Sequence, residues 1–249
     1  IKVFKRITIV VLLICLGCWI SVNIYQELQA VKPNSEEVVS LTYPEEPRIE
    51  NITLTAAGDC LMHGSQIRSG IQEDGSYCFE HFFTEVKDLI NEGDYSSIDF
   101  EAALAGPERG YTGYPTFNSP DAIARAFKEA GLDLVVTANN HSLDRGYKGA
   151  IRTLDVLQGA GLETVGTYRN EEEARSFLIK DIKGIKVAYI AYSYGTNGIP
   201  VPREHPEFFN FLDKEKILAD IKELRPQVDT IILLLHWGVE YNPRPTPEQ

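Results

Sequence analysis

The sequence is poor in sulfur-containing residues. Its 249 residues include one methionine and four cysteines. Cys15 and Cys18 lie inside an apolar N-terminal run, and no Cys-x-x-Cys pair with zinc-ribbon spacing lies outside that run. For Cys60 and Cys78 we expect two small buried thiols, and the alternative is a disulfide formed outside the cell. Cysteine therefore provides no zinc or disulfide framework on which the fold depends.

Basic charge and glycine-rich motifs are scarce as well. Lys and Arg number 24 against 36 Asp and Glu, so the formal net charge is -12. An acidic surface argues against nucleic acid or anionic lipid as the main partner. No Gly-x-Ser-x-Gly, Walker A or Rossmann glycine pattern appears, and neither does a repeat or a low-complexity tract. These signatures therefore assign no function.

The N-terminal segment has the pattern of a membrane anchor. Ile7–Ile20 is apolar except for Thr8, and three basic residues precede it. We predict a transmembrane helix within residues 1–28, and we favour an uncleaved signal anchor over a cleaved signal peptide because no clear small-x-small site follows. The positive flank predicts a single-pass protein of the bacterial cell membrane with its domain outside the cytoplasm. Residues 29–50, with their prolines and glutamates, are typical of an extracytoplasmic linker.

Residues 51–249 alternate between apolar strand-like runs and segments of helical periodicity. This alternation predicts an α/β domain with a mostly parallel sheet sandwiched by helices, and the Lys183–Lys186 turn adds an antiparallel hairpin. The predicted strands are Ile52–Ala57, Ser96–Phe100, Leu132–Ala138, Glu163–Gly166, Phe177–Ile182, Val187–Tyr192 and Thr230–Leu235. The predicted helices are Phe79–Asn91, Asp121–Ala130, Gly146–Ala160 and Asp213–Leu224.

Four of the apolar runs end in side chains that bind divalent metals. Carboxylate and amide oxygens and imidazole nitrogens are the usual ligands of hard and borderline cations. Because ligands bind at the carboxyl ends of strands in an open α/β sheet, the four ends together predict one shared metal site. The clusters hold Asp59 with His63, Asp99 with Glu101, Asn139-Asn140-His141, and His236.

Each cluster has an alternative structural explanation. Asp59 could cap the following helix. Asp99 and Glu101 share one face of a strand and could form a solvated strand end, with Phe100 pointing into the core. Asn139-Asn140-His141 could be a polar turn between a strand and a helix, and His236 could be a satisfied core histidine.

Residues beside the last two clusters could complete a binding cleft. Asp144 could orient His141, and Arg145 could hold an anionic group of a substrate. Trp237 and Tyr241 could line the cleft or merely pack. No role is assigned to His81, His205 or the stretch Tyr192–Gly195.

These strings resemble the poly-gamma-glutamate capsule biosynthesis protein CapA family, a branch of the calcineurin-like metallophosphoesterases. The resemblance extends from Ile52 to the end and is carried by Gly58-Asp59, Asp99–Glu101, Ala138–Gly146 and Leu234–Tyr241. It implies a four-layer α/β/β/α fold over residues 51–249 and a cleft for two divalent metals, with Mn, Fe or Zn plausible.

The resemblance also implies roles for individual residues. Asp59, Glu101, Asn140 and His236 would be metal ligands, with His63 possible, and His141 would be the proton donor or phosphate contact. Asp99 stands where the family has the Asn of Asn-Leu-Glu, and an Asp coordinates metals as well as an Asn does.

The implied function is the synthesis or export of an anionic poly-gamma-glutamate capsule by a membrane-anchored protein with a hydrolase-type cleft. Its expected partners are the membrane, the polymer or a phosphoester, and subunits of a capsule synthase complex, and no nucleic acid. The alternatives are a non-catalytic polymer-binding subunit of that complex and a general secreted metallophosphoesterase. The family's later Gly-x-His-x-His-type segment does not occur, so we expect a C-terminally truncated, incomplete domain that is inactive or a weak single-metal binder.

Overall fold

The computed structural model describes residues 21, 23–27, 49–242, 244–247 and 249. The chain divides into two units, residues 1–49 and residues 50–249. In the first unit, the described residues 21 and 23–27 are helical. The apolar run Ile7–Ile20 and the predicted linker up to residue 48 lie outside the described residues. No helix within the described ranges combines the length and apolar character needed to cross a membrane.

The described part of the second unit contains seven strands and six α-helices. The strands are β1 (Leu54–Cys60), β2 (Tyr95–Phe100), β3 (Leu134–Val136), β4 (Glu163–Val165), β5 (Leu178–Ile182), β6 (Ile185–Ser193) and β7 (Thr230–His236). The helices are α1 (Gly64–Ser69), α2 (Lys87–Asn91), α3 (Ala122–Ala130), α4 (Gly146–Gly159), α5 (Glu171–Arg175) and α6 (Lys214–Leu224). Short 3-10 turns cover Glu80–Phe82, Pro107–Arg109 and Pro206–Phe208.

The strands form two sheets. The first sheet has the order β1-β2-β3-β4, and all of its neighbours are parallel. The second has the order β5-β6-β7, in which β5 and β6 form an antiparallel hairpin and β7 runs parallel to β6. The predicted α/β fold with a parallel sheet is confirmed, and so is the hairpin around Lys183–Lys186.

Alternation along the strands places one core on each face of the first sheet. Val135 of β3 packs with Phe100, Phe127 and other residues on the helix side. Its neighbours Leu134 and Val136 pack on the opposite side, against residues of the second sheet. Successive side chains of a strand point to opposite faces, so the sheet is covered on both sides.

The same alternation gives the second sheet two covered faces. Val187 and Tyr189 of β6 belong to the core between the sheets. Ala188 and Ile190 pack on the outer face, where Leu224 of α6 covers them. The layers are therefore helices, first sheet, second sheet and helix, which is the order that the family resemblance implies.

One predicted helix is broken in the structure. Residues predicted as the helix Phe79–Asn91 form a 3-10 turn at Glu80–Phe82 and the short helix α2. Phe79 is fully buried, and its ring fills the space beside Gly70 where a side chain would clash. Packing of this ring outweighs the helical pattern, which is only a weak local preference. Helix α1 was not predicted.

The two cysteines of the second unit are both free, as predicted. They are partly rather than fully buried. Burial, with a contribution from the nearby Asp99 charge, raises the pKa of the Cys60 thiol to about 12. A thiol with so high a pKa carries little thiolate at neutral pH and reacts slowly.

Replacement of Gly166, the residue after β4, tests how closely its backbone packs against Ala138. Gly166 has φ 106°, and a Cβ there would lie 2.4 Å from the Cβ of Ala138. We expect Gly166→Ala to lower the free energy of unfolding by about 1–3 kcal/mol from backbone strain and about 1–3 kcal/mol from overpacking. Gly184→Ala is the control, because Gly184 has φ 88° with open space around it. Urea unfolding of both variants measures the difference, and equal losses would contradict this packing.

Candidate metal centre

The first sheet contributes carboxylates from two adjacent strands. Asp59 of β1 is paired in register with Asp99 of β2, after a register shift between Ala57 and Asp59. Phe100 points into the core on the helix side, as expected, so Asp99 and Glu101 face the second sheet. Asp99 and Glu101 are buried, whereas the Asp59 side chain is 49% exposed. The bulge therefore turns an accessible carboxylate towards two buried ones.

His236 reaches the same place from the second sheet. It is the last residue of β7, and its Nδ1 donates to Asp99 Oδ2 at 3.0 Å. Its Nε2 donates to Asn140 Oδ1 at 2.7 Å. The imidazole also lies 3.5 Å from Asp59 Oδ1 and 3.9 Å from Glu101 Oε1. The structure thus brings together five predicted site residues: Asp59, Asp99, Glu101, Asn140 and His236. The first four lie at the ends of three strands of the first sheet, and His236 ends a strand of the second.

Three of these side chains have the geometry of a metal site. Ligand atoms of Asp59, Glu101 and His236 all lie within 4.8 Å of one another. Two carboxylate oxygens and one imidazole, with the amide oxygen of Asn140 beside them, form a mixed oxygen and nitrogen donor set. Borderline divalent ions such as Mn, Fe and Zn accept such a set. The residues present fit a divalent metal of the kind that the family resemblance implies.

The electrostatics of the cluster also favour a bound cation. Burial raises the pKa of Glu101 to about 7 and also raises the pKa of Asp99. Burial opposes protonation of His236, but hydrogen bonds to Asp59 and Asp99 outweigh it and raise the pKa of His236 to about 10. The hydrogen bond to His236 lowers the pKa of Asp59. Three carboxylates thus share one imidazolium, and further positive charge would relieve their repulsion.

A second buried pair lies beside this cluster. Nδ1 of His141 is 2.8 Å from Asp144 Oδ2, and the same oxygen accepts the backbone N–H of Phe117 at 2.7 Å. The Phe117 ring meets the His141 ring edge-on, with centroids 4.7 Å apart. Nε2 of His141 lies 3.7 Å from Glu101 Oε1. Asp144 therefore fixes the imidazole so that Nε2 faces the carboxylate cluster.

Two predicted site residues do not join the cluster. His63 is exposed, precedes α1 and packs edge-on against Phe117. Arg145 donates its Nε to Phe117 O at 3.2 Å and its Nη2 to Thr116 O at 2.8 Å. Because the guanidinium holds the 112–117 loop, it is not directed at a substrate in the cleft.

A cleft of about 620 Å³ opens above the cluster. Trp237 and Tyr241, both expected there, line it, and Tyr241 is almost fully exposed. Among the described lining residues, Arg244 is the one Arg or Lys side chain, while Glu240 adds another acid. The cleft is therefore acidic and aromatic where the chain surrounds it.

Three residues to which the sequence interpretation assigned no individual role also reach the site. Asn139 donates to Asp99 Oδ1 at 2.9 Å. Tyr194 stacks on His236 with ring centroids 5.9 Å apart and lines the cleft. Asn197 contacts both Asn140 and His141. Tyr194 and Asn197 follow β6. A polar segment after a strand is the sequence feature that predicted the other clusters, and it could have identified these two residues as well.

Comparison with known proteins identifies the family of the chain. Residues 53–249 match the family described as bacterial capsule synthesis protein PGA_cap. The chain is 25% identical over 209 residues to the capsule biosynthesis protein CapA of Bacillus anthracis, covering 80% of this chain and 50% of that protein. It is 22% identical over 252 residues to the PGA biosynthesis protein CapA of Bacillus subtilis (strain 168), covering 99% of this chain and 60% of that protein. The chain thus spans about half the length of the first of these relatives and somewhat more of the second.

The fold is similar to that of a solved structure. A putative 5'-nucleotidase from Staphylococcus aureus, in complex with alpha-ketoglutarate, superposes with a TM-score of 0.50 and 15% identity. The match covers 80% of this chain and 40% of that chain. At 15% identity, this similarity is evidence for a shared fold alone. With the family match extending over residues 53–249, the chain belongs to the bacterial capsule synthesis protein PGA_cap family.

Proposed function

We propose that this protein acts in the synthesis or export of a poly-gamma-glutamate capsule through metal-dependent hydrolysis or transfer in its cleft. The observation that carries the proposal is the convergence of Asp59, Glu101 and His236 beside the buried pair of His141 and Asp144. The sequence alone predicts an inactive chain or a weak single-metal binder, but because these side chains converge we propose activity for this chain instead. The names of the two CapA relatives support the polymer as the substrate or product.

The residues that would hold the metals are those whose ligand atoms converge. Asp59, Glu101 and His236 form the core of the set, and Asn140 adds an amide oxygen. Asp99 accepts from His236 Nδ1 and so orients the imidazole, as second-layer carboxylates commonly do. Divalent ions bound there supply polarisation of substrate oxygens and activation of water at neutral pH.

His141 is the group placed to move a proton. Its Nδ1 is committed to Asp144, which stabilises the charged imidazole and fixes the position of Nε2. Nε2 faces the carboxylate cluster, where it can protonate the leaving oxygen of a phosphoester or the leaving nitrogen of an amide. The Phe117 ring and the burial of His141 limit access of water to this proton.

The membrane location is part of the same proposal. The apolar run Ile7–Ile20 would anchor the chain as a single-pass helix, with residues 29–50 as an extracytoplasmic linker. This arrangement would hold the cleft close to the membrane, where a capsule synthase complex would deliver or receive polymer.

A second candidate function is binding of the polymer without catalysis. The exposed side chains of Trp237, Val239 and Tyr241 line the cleft, and His141 is not among its lining residues. An extended chain could lie along these side chains while metal ions neutralise its carboxylates. In that case the ions would link polymer to protein and no bond would be broken.

Metal binding is the first test. We expect the full chain to bind Mn²⁺ in a calorimetric titration, and Asp59→Asn or His236→Gln to weaken the affinity at least about tenfold, because the first removes the charge of a ligand and the second removes the imidazole. Asp155→Asn is the control, since this exposed carboxylate pairs with Arg169 on the surface. Equal affinities of His236→Gln and the control would contradict a metal centre at this place.

Removal of the Asp144 charge separates catalysis from binding. With Mn²⁺ present, we expect Asp144→Asn to lower kcat about a hundredfold or more on bis(p-nitrophenyl) phosphate or on γ-linked glutamate oligomers, because His141 loses its orienting carboxylate. Its Mn²⁺ affinity should not change. Full activity in this variant would exclude the proton-transfer role. A wild-type chain that binds the oligomers and cleaves neither substrate would favour the second candidate.

A further inference from the structure

A tight turn after β6 points one side chain at the candidate site. In this turn, Thr196–Ile199, the central residues Asn197 and Gly198 have φ 51° and 76°. Ile199 N donates to Thr196 O at 2.9 Å, and Thr196 Oγ1 donates to Ile199 O at 2.6 Å. Asn and Gly are the residues best suited to a turn with two positive φ angles. The backbone position of Asn197 is therefore well defined although the residue is exposed.

The turn is also attached to the strand that carries His236. Tyr194 N donates to His236 O at 3.0 Å, and the Tyr194 ring stacks on the His236 ring. The segment that presents Asn197 is thus held by the strand that presents His236, so the two side chains approach the first sheet together.

Asn197 contacts two site residues of the first sheet at once. Its Oδ1 accepts from Asn140 Nδ2 at 3.1 Å. Its Nδ2 lies 3.5 Å from His141 Nε2, the ring nitrogen opposite the one committed to Asp144. One amide thereby joins the group proposed to ligate metal with the group proposed to move a proton.

We propose that Asn197 is a positioning residue that fixes which end of the Asn140 amide faces the ligand cluster and holds His141 Nε2 towards the cleft. This inference rests on the proposed function of the same site. An amide has an acceptor oxygen and a donor NH₂, and only the oxygen can ligate a cation. Because Asn197 Oδ1 takes the NH₂ of Asn140, Asn140 Oδ1 is left to face His236 and the carboxylates.

Asn197→Gly removes both contacts and keeps a residue that tolerates positive φ. In the full 249-residue chain, we expect its Mn²⁺ affinity to fall about tenfold, the lower end of the effect of outer-layer substitutions at metal sites. The matched control is Lys183→Gly, which also replaces a residue of positive φ (54°), in the turn of the hairpin β5–β6. We expect Lys183→Gly to bind Mn²⁺ as the wild type does. If Asn197→Gly bound Mn²⁺ as tightly as the wild type does, the part of the inference that concerns the Asn140 amide would be overturned.

Asn197→Asp separates the two contacts. The carboxylate can still accept from Asn140 Nδ2. It has no NH₂ to donate to an unprotonated His141 Nε2, and it would itself accept the Nε2 proton that His141 is proposed to deliver to the leaving group. We expect Mn²⁺ affinity no lower than that of the wild type, while kcat for bis(p-nitrophenyl) phosphate falls about tenfold with KM unchanged. Loss of metal affinity, or wild-type kcat, would overturn the division of roles.

A readout on the metal-free chain distinguishes failure of this inference from failure of the proposed function. The side-chain amide signal of Asn140, assigned by its loss in Asn140→Ala, should shift in the ¹⁵N NMR spectrum of Asn197→Gly and stay in place in Lys183→Gly. If the wild type neither binds Mn²⁺ nor hydrolyses either substrate, the proposed function fails while this shift still decides whether Asn197 orients Asn140. An unshifted signal would overturn the inference.

Discussion

The candidate site depends on the hydrogen bonds of the His236 imidazole, because they join the two sheets. Its two nitrogens donate to Asp99 and Asn140, which belong to neighbouring strand ends of the first sheet. The buried carboxylates of Asp99 and Glu101 would be costly without positive charge, and the raised pKa of His236 means that the ring supplies it. A divalent ion held by His236 would replace the proton on one ring nitrogen and supply a larger positive charge at the same place, so the metal-free cluster already holds the ligand side chains together.

The position of His236 depends in turn on the packing of the two sheets against each other. Strand β7 runs parallel to β6, and β6 packs through Val187 and Tyr189 against the face of the first sheet. Helix α6 covers the other face of β6 through Leu224. Residue alternation along β6 therefore fixes the distance between the two sheets, and the site is built at the end of a rigid core rather than on free loops.

The sequence predicted most of the elements and the convergence of the strand ends, because periodicity and polar endings are local signals. It did not show from the residues alone that the strands divide into two sheets, since alternation identifies faces and not the sheet to which a strand belongs. The contacts of Arg145 could not be predicted for a similar reason: its backbone acceptors at Thr116 and Phe117 lie far away in sequence. Asn197 was not predicted as a site residue, because its contacts with Asn140 and His141 depend on how the two sheets meet.

The acidic character of the site constrains any function with poly-gamma-glutamate. The chain has a net charge of -12, and the cleft brings Asp59, Glu101 and Glu240 near any anionic substrate. With Arg145 engaged by a loop, Arg244 is the one Lys or Arg side chain among the described residues that line the cleft. Like charges repel strongly where burial lowers the dielectric constant, so an anionic polymer or a phosphoester would approach only after cations are in place. Under either proposed function, metal occupancy therefore precedes substrate binding, and the amide oxygen presented by Asn140 contributes to both steps.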